Sequence, residues 1–239
     1  MSKKVEKGGV ERTVLYEENR WKIFREKREI AKKLIKFLND NGFYGRTYGS
    51  IARGDVNKNS DIDVFFTEYV PSYKIEFILE KEYTIYRKEV VQATPHSTPK
   101  AYIYIDPYEK ICVSFPLAKL LKNEIEFYDF GGTIDLKDIE ENVRKKGVNK
   151  RLLLIIPQDF GHIEKSIIGK EAEVARELNI SLETVMERER VLGKRDEFGR
   201  TGTFVKINVQ HHDRIEETVY NFASKNWMLR KILRERGYF

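Results

Sequence analysis

The chain alternates between stretches with helical periodicity and stretches with the composition of strands. Residues 19–41 place apolar side chains at helical spacing among charged ones, and Gly42 follows them. This pattern predicts a long amphipathic helix that ends at a glycine. Two short runs rich in β-branched and aromatic residues, 43–48 and 61–67, predict strands on either side of a glycine turn.

The next stretch predicts a helix followed by three strands. Pro71 suits the first turn of a helix that continues to about residue 81, and 82–92 returns to a strand-like composition. Residues 100–105 and 110–115 are two β-rich runs joined by turn-forming residues. They therefore predict a β-hairpin.

The last third of the chain mixes both patterns. It predicts a buried strand at 152–157, helices at 170–179 and 182–192, a strand at 203–209, and helix over most of 216–236. We therefore expect an α/β (α+β) fold, with a mixed sheet in the first domain and a smaller α/β domain after it.

Three parts are expected along the chain. The polar stretch 137–150 follows a pair of glycines and marks a domain boundary. The expected parts are a basic N-terminal tail at 1–18, a first domain at 19–150, and a C-terminal α/β domain at 151–239.

Composition excludes several classes of protein. The 239 residues are 41% hydrophobic and 34% charged, which is typical of a globular chain and not of a disordered or collagen-like one. The single cysteine, Cys112, excludes an internal disulfide and a thiolate zinc cluster and fits a reducing compartment. The longest apolar run is too short for a membrane span and no secretory signal is visible, so we expect a cytoplasmic protein without a membrane partner.

Basic residues are in excess at the two ends of the chain. The net charge is +6, and residues 1–33 carry 11 Lys or Arg against 6 Asp or Glu, while 225–236 carry five against one. This excess favours an anionic partner such as nucleic acid, although solvated helix faces explain it equally well. Abundant Lys and Glu with only three Gln fit a thermophilic source.

The strongest chemical signal lies between the first two predicted strands. Gly49-Ser50 is followed, after ten intervening residues, by Asp61-Ile62-Asp63. Phosphoryl transfer from a nucleoside triphosphate needs backbone N–H groups and hydroxyls around the phosphates, and carboxylates around divalent metal ions. Alternate residues of a strand point to one face, so Asp61 and Asp63 can direct both carboxylates to a site for Mg²⁺ or Mn²⁺.

This order of residues resembles the motif of the nucleotidyltransferase superfamily typified by DNA polymerase beta, which has Gly-Ser, a loop and then Asp-x-Asp. Over about residues 19–123, the order of elements also resembles the head domain of archaeal CCA-adding tRNA nucleotidyltransferases. The resemblance implies an NTP substrate, with ATP as the expected one, and an RNA partner such as tRNA.

The resemblance also implies roles for individual residues. Gly49 and Ser50 would bind the triphosphate, and Arg53 would neutralise its charge. Asp61 and Asp63 would hold the metal ions and act in catalysis.

One position departs from the family's pattern. The family has a third carboxylate on the second hairpin strand, where this chain has Cys112. That carboxylate orients or deprotonates the attacking hydroxyl, so its replacement affects chemistry more than nucleotide binding. Asp106 or Glu109 in the hairpin turn could substitute for it, and Asp106 is the catalytic candidate we name. A lone cysteine in a β-rich run is otherwise a small buried hydrophobe.

Residues 173–192 resemble a helix-turn-helix, with Asn179 in the turn and Ser181 as the cap of the second helix. The segment 199–203 resembles the tip of a winged hairpin. A charged helical hairpin and an ordinary glycine turn explain the same residues, and glutamates in the second helix would repel phosphate. The candidate nucleic-acid-binding residues are Arg188, Arg190, Lys194, Arg195 and Arg200.

The sequence therefore predicts metal-dependent transfer of a nucleoside monophosphate from an NTP to a hydroxyl group, with RNA as the expected acceptor. Two alternatives stay open. One is adenylylation of a protein or small molecule, and the other is a nucleotide- or RNA-binding module whose catalysis is weakened by Cys112.

Overall fold

A computed structural model describes residues 5–6, 9, 11–199 and 202–237 of the chain. Its strands are β1 (Glu11–Leu15), β2 (Arg46–Tyr48), β3 (Ile62–Phe65), β4 (Arg87–Gln92), β5 (Lys100–Tyr104), β6 (Ile111–Pro116), β7 (Thr133–Ile134), β8 (Gly147–Val148), β9 (Leu153–Gln158), β10 (Gly161–Ser166) and β11 (Val205–Val209). Its helices are α1 (Glu18–Asp40), α2 (Ser50–Arg53), α3 (Ser72–Leu79), α4 (Lys122–Gly131), α5 (Leu136–Glu140), α6 (Glu171–Leu178), α7 (Leu182–Phe198), α8 (Ile215–Lys225) and α9 (Trp227–Glu235).

The described residues form two compact units, each assembled from three stretches of the chain. Unit 1 takes the described residues of Met1–Lys36, Arg46–Ser60 and Ile125–Thr201, and unit 2 takes those of Phe37–Gly45, Asp61–Glu124 and Gly202–Phe239. The predicted division near residue 150 stays a prediction.

Unit 1 contains an antiparallel sheet in the order β1-β10-β9-β8. β9 and β10 form a hairpin in which Gln158 pairs with Gly161, and β1 joins with Glu11 opposite Lys165. Unit 1 also contains β2 and β7, which pair with each other in antiparallel orientation.

A hydrophobic cluster connects this sheet to two helices. Val148 of β8 and Leu154 of β9 pack with Ala175 of α6 and Val185 of α7, and all four are buried. Burial of the valine and leucine side chains stabilises the fold by roughly 1.5–3 kcal/mol each.

Unit 2 contains a mixed sheet with the strand order β11-β4-β5-β6-β3. β3 and β6 run parallel and the other neighbours are antiparallel. Val64, Ile103 and Val113 are buried on one face of this sheet, where the buried Lys88 also lies, opposite Ile103. The predicted α/β (α+β) class with a mixed sheet is confirmed, as is the hairpin, now formed by β5 and β6.

Two predicted elements have different roles in the structure. Residues 1–18 were expected to be a tail but include β1, whose side chains are mostly exposed, so no hydrophobic pattern marks it as a strand. The strand predicted at 203–209 is β11, which pairs with β4 of unit 2 and not with a strand that follows residue 150. Because α7 precedes it, the described residues around 199–203 do not form the hairpin that a wing requires.

Candidate active site

β3 places the two motif carboxylates of unit 2. Ile62, Val64 and Phe65 are buried, so their apolar side chains fix the strand, whereas Asp63 is half-buried and Asp61 is exposed just before the strand begins. The alternation leaves Asp63 on the face opposite Val64. Asp63 therefore lies in the predicted strand, which is shorter than expected, and Asp61 precedes it.

Cys112 lies directly opposite Asp63 in the parallel pair of β3 and β6. Its Sγ is 2.8 Å from Oδ1 of Asp63 and donates a hydrogen bond to it. Burial, and next the nearby charge of Asp63, raise the pKa of the Cys112 thiol well above its usual value. The thiol is therefore protonated at neutral pH and provides a neutral donor beside Asp63.

Lys110 contacts the other carboxylate of the motif. Its Nζ lies 2.8 Å from Oδ1 of Asp61, and both side chains are about half exposed, at 50% and 47%. The hydrogen bond with Asp61 raises the pKa of Lys110. A cation bound by Asp61 would have to compete with this ammonium group, which the sequence reasoning missed.

Asp106 is engaged in the turn between β5 and β6. Its Oδ1 accepts from the backbone N–H groups of Lys110 and Ile111 at 2.7 and 2.6 Å, and Oδ2 accepts from Tyr108 N at 3.1 Å. These bonds explain why aspartate suits this turn. The predicted catalytic role of Asp106 stays a prediction.

A second polar network lies on the same face of the sheet as Cys112. Tyr104 is paired with Cys112 across β5 and β6, and its hydroxyl donates to Oε1 of buried Glu89 at 2.9 Å. Glu89 is also paired with Arg87 and, at 3.1 Å, with Lys206. Burial, and next the charge of Glu89, raise the pKa of Tyr104. The three consecutive charged residues at the start of β4, Arg87, Lys88 and Glu89, were the sequence signal for this network.

Gly49 and Ser50 lie in unit 1, between β2 and α2. Gly49 has φ 77° and its N–H donates to the carbonyl of Gly132 at 2.9 Å. This positive φ is strained for residues other than glycine, so the turn from β2 into α2 depends on Gly49. Ser50 begins α2 and is half-exposed.

Arg28 of α1 holds the α2 turn in place. Its guanidinium donates to the carbonyl oxygens of Ile51 and Ala52 at 3.1 and 3.2 Å and to that of Val143 at 2.7 Å. Burial lowers the pKa of Arg28 to about 10, so the group stays charged at neutral pH. Arg28 is therefore a positioning residue for the Gly-Ser segment.

Arg53 is buried in unit 1. Its Nε and Nη2 donate to the two carboxylate oxygens of Asp55 at 3.0 and 2.9 Å, and Nη1 donates to Gly131 O at 2.6 Å. Such a bidentate pair is geometrically restrictive. The structure gives Arg53 a clamping role in unit 1, and its predicted contact with a triphosphate stays a prediction.

Asp61 and Asp63 of unit 2 are the candidate ligands for a metal ion. In the parts of the chain that the structure describes, no group of three or more His, Cys, Asp or Glu has the arrangement of a metal site. Mg²⁺, however, is commonly held by one or two carboxylates, with waters and substrate phosphates as the other ligands. The carboxylates of Asp61 and Asp63 fit this requirement, and the neutral Cys112 thiol adds no hard ligand.

The helix-turn-helix prediction describes the local geometry of α6 and α7. Asn179 has φ 53° and ends α6, and the Ser181 side chain accepts from Thr184 N and so caps α7. The Ser181 and Thr184 hydroxyls also donate to buried Glu126 of α4. The turn is therefore fixed against α4.

The candidate nucleic-acid-binding residues of α7 have different surroundings. The guanidinium of Arg188 lies 4.7 Å from the centroid of the Phe127 ring, and burial lowers the pKa of Arg188. Arg190, Lys194 and Arg195 are exposed. Arg200 lies outside the described residues.

Comparisons with known proteins bear on the motif. A family model described as "Nucleotidyltransferase domain" matches residues 25–170, which include both halves of the Gly-Ser and Asp-x-Asp motif. A search of curated proteins found none that matches the chain.

Of the helices that the structure describes, none is long and apolar enough to cross a membrane.

Proposed function

The chain belongs to the nucleotidyltransferase domain family, and from this premise we propose that it transfers a nucleoside monophosphate from an NTP to a hydroxyl group. The observation that carries the proposal is the pair of carboxylates at the start of β3, Asp61 just before the strand and Asp63 within it. Asp61 and Asp63 follow the family's motif, and the buried Ile62 and Val64 fix the strand that presents them.

The proposed reaction is a displacement at the α-phosphorus of the NTP. The acceptor hydroxyl loses its proton to water, its oxygen forms a bond to the α-phosphorus, the bond from this phosphorus to the oxygen bridging to the β-phosphate breaks, and pyrophosphate leaves. Asp61 and Asp63 would hold Mg²⁺, which when bound neutralises charge on the phosphates. Gly49 and Ser50 would bind the triphosphate, with Gly49 shaping the turn and Ser50 donating its backbone N–H and its hydroxyl, because the N–H of Gly49 is already donated to Gly132.

We propose ATP as the nucleotide and RNA as the acceptor. The resemblance of residues 19–123 to the head domain of CCA-adding enzymes supports an acceptor like tRNA. The positive net charge of +6 supports a polyanionic partner in general.

A double substitution of the carboxylates tests the proposal. Asp61→Asn with Asp63→Asn should abolish incorporation of label from α-³²P-ATP into RNA, because both proposed metal ligands lose their charge. Asp159→Asn with Asp196→Asn removes the same charge elsewhere and should keep incorporation. Circular dichroism and the melting temperature would confirm folding of each variant. Equal incorporation by the two double variants would refute the proposal.

The Cys112–Asp63 hydrogen bond favours a second candidate function. A protonated thiol at the third position cannot accept a proton from the attacking hydroxyl. This favours a module that binds nucleotide or RNA with little turnover. Nucleotide binding by the wild type without incorporation into RNA or protein would support this candidate, and label in protein alone would identify a protein adenylyltransferase.

A further inference from the structure

The last described helix, α9, separates apolar and basic residues onto opposite sides. Leu229, Ile232 and Leu233 are buried, at 0%, 7% and 0% exposure. The opposite side carries what we name the α9 cationic face, formed by Trp227, Arg230, Lys231 and Arg234. These four positions lie within an arc of about 100° on a helix with 3.6 residues per turn.

Both ends of α9 are anchored within unit 2. The Asn226 side chain caps the helix by accepting from Leu229 N at 3.0 Å. At the other end, Arg236 donates to the carbonyl of His96 at 2.6 Å and pairs with Glu124 at 3.2 Å. The α9 cationic face is therefore presented on a fixed helix, which lowers the entropy cost of binding a partner.

The α9 cationic face combines positive charge with an exposed aromatic ring. A shallow cavity of about 360 Å³ is lined by its four residues and Glu235. Glu235 is paired with Lys231 at 3.7 Å, and the guanidinium of Arg230 donates to the uncharged carbonyl of Ser224 at 3.1 Å. Trp227 is 61% exposed.

We propose that the α9 cationic face binds a single-stranded segment of RNA. Arg230 and Arg234 would contact successive phosphates, and the Trp227 ring would stack against a base. Cationic charge beside an exposed aromatic ring complements both chemical parts of a nucleotide. This proposal rests on the proposed function, because it names the surface that holds the RNA acceptor.

An anionic lipid surface is the other partner that a basic, tryptophan-bearing helix could take. A helix that lies in a membrane interface inserts its apolar side into the lipid. In α9 that side is occupied, because Leu229, Ile232 and Leu233 are buried in the protein. The structure therefore favours RNA.

Fluorescence anisotropy with a labelled oligoadenylate tests this proposal on the full chain. Trp227→Ala should weaken binding by about 10-fold with an unchanged salt dependence, because it removes stacking and no charge. Trp227→Phe should restore most of the affinity. For Arg230→Ala with Arg234→Ala, the logarithm of the binding constant should fall less steeply with the logarithm of the salt concentration. The slope should be smaller in magnitude by about 1.4, because two phosphate contacts are lost.

The matched control removes two exposed cations of unit 2, Lys74 in α3 and Lys81 just after it. Lys74→Ala with Lys81→Ala changes the net charge by the same amount and should leave the salt slope within error of the wild type. Equal losses in both double variants would show unspecific attraction and would overturn the proposal. Binding of the wild type to phosphatidylserine vesicles but not to oligoadenylate would also overturn it.

The test of RNA binding by α9 can be distinguished from the test of the proposed catalysis. Asp61→Asn with Asp63→Asn should still bind oligoadenylate, at least as tightly as the wild type, because α9 is unchanged and two negative charges are lost. If that variant still incorporates nucleotide while the α9 variants lose RNA binding, the proposed function fails and the α9 proposal stands. If the α9 variants bind RNA normally while the carboxylate variant is inactive, the α9 proposal alone fails.

Discussion

The Cys112 thiol faces the Asp63 carboxylate across the parallel strands β3 and β6, with Sγ 2.8 Å from Oδ1. The family's third carboxylate would stand at this position, and the chain instead has a buried group that stays protonated. Asp63 gains a hydrogen bond from this arrangement, and in the proposed reaction the acceptor hydroxyl would lack the base that the family's carboxylate would supply. The identity of residue 112 should therefore control the rate of transfer.

Cys112→Asp should raise nucleotide incorporation by about 10-fold or more, because general base catalysis contributes 10²–10⁴-fold. A new carboxylate beside Asp63 repels it, so the variant should melt at a lower temperature without Mg²⁺ and regain stability when Mg²⁺ is added. Single-turnover incorporation and melting with and without Mg²⁺ measure the two effects.

Cys112→Ser is the matched control, because its hydroxyl can still donate to Asp63 and adds no charge. It should show neither the gain in incorporation nor the added dependence of stability on Mg²⁺. Equal rates for the Asp and Ser variants would contradict the assignment of residue 112 to the third carboxylate position.

Removal of the Lys110 ammonium should make Asp61 more available to a cation. Ion pairs between exposed groups contribute about 0–1 kcal/mol, so Lys110→Ala should lower the Mg²⁺ concentration for half-maximal thermal stabilisation by at most about 5-fold. Lys110→Arg keeps the pair and should resemble the wild type. A higher Mg²⁺ requirement in Lys110→Ala would show that the lysine assists binding and does not compete with it.

The site was predictable from sequence where chemistry and local structure coincide. Asp61 and Asp63 sit in an apolar run whose alternation fixes both the strand and its exposed side. Asn179 and Ser181 likewise carry local signals, a left-handed turn and a helix cap, and the structure has both.

Long-range contacts were not predictable in this way. Arg53 reads as a free cation beside a phosphate-binding motif, but its guanidinium is clamped by Asp55 and the Gly131 carbonyl. The contact of Lys110 with Asp61 joins residues 49 positions apart. β11 pairs with β4, and no local sequence pattern identifies the strand with which it pairs.

Gly147 should tolerate no side chain, because the backbone of β8 passes very close to the end of α4. A Cβ at Gly147 would lie 2.5 Å from the carbonyl carbon and oxygen of Gly131 and from the nitrogen of Gly132. Because these are backbone atoms, relieving the overlap requires a shift of the main chain. Gly147→Ala should therefore lower the free energy of unfolding by about 1–3 kcal/mol or more. Urea denaturation measures the change.

Gly193 provides the control for this substitution. It lies inside α7, and a Cβ there would meet nothing within 4 Å. Gly193→Ala should therefore stabilise the protein by about 0.5–1 kcal/mol, as alanine does in a helix. Similar unfolding curves for the two alanine variants would show that the close approach at Gly147 is not rigid.

Glu164 of β10 should make stability depend on pH in the acid range. The hydrogen bond from His162 lowers its pKa from 4.5 to about 2, helped by a bond from Arg12 and opposed by burial. A carboxylate whose pKa is lower in the folded state contributes stability above its unfolded pKa. That contribution is complete above pH 4.5 and is lost as the pH falls towards about 2.

Glu164→Gln should remove this part of the acid dependence. Because Arg12 is 42% exposed and partly screened by solvent, we expect a loss of only about 1–2 kcal/mol at pH 6. The wild type and the variant should converge in stability as the pH approaches about 2. Glu197→Gln, at an exposed position of α7, should leave the decrease in unfolding free energy at acid pH unchanged. Parallel curves of unfolding free energy for wild type and Glu164→Gln between pH 6 and pH 2 would show that the His162–Glu164 contact does not stabilise the fold.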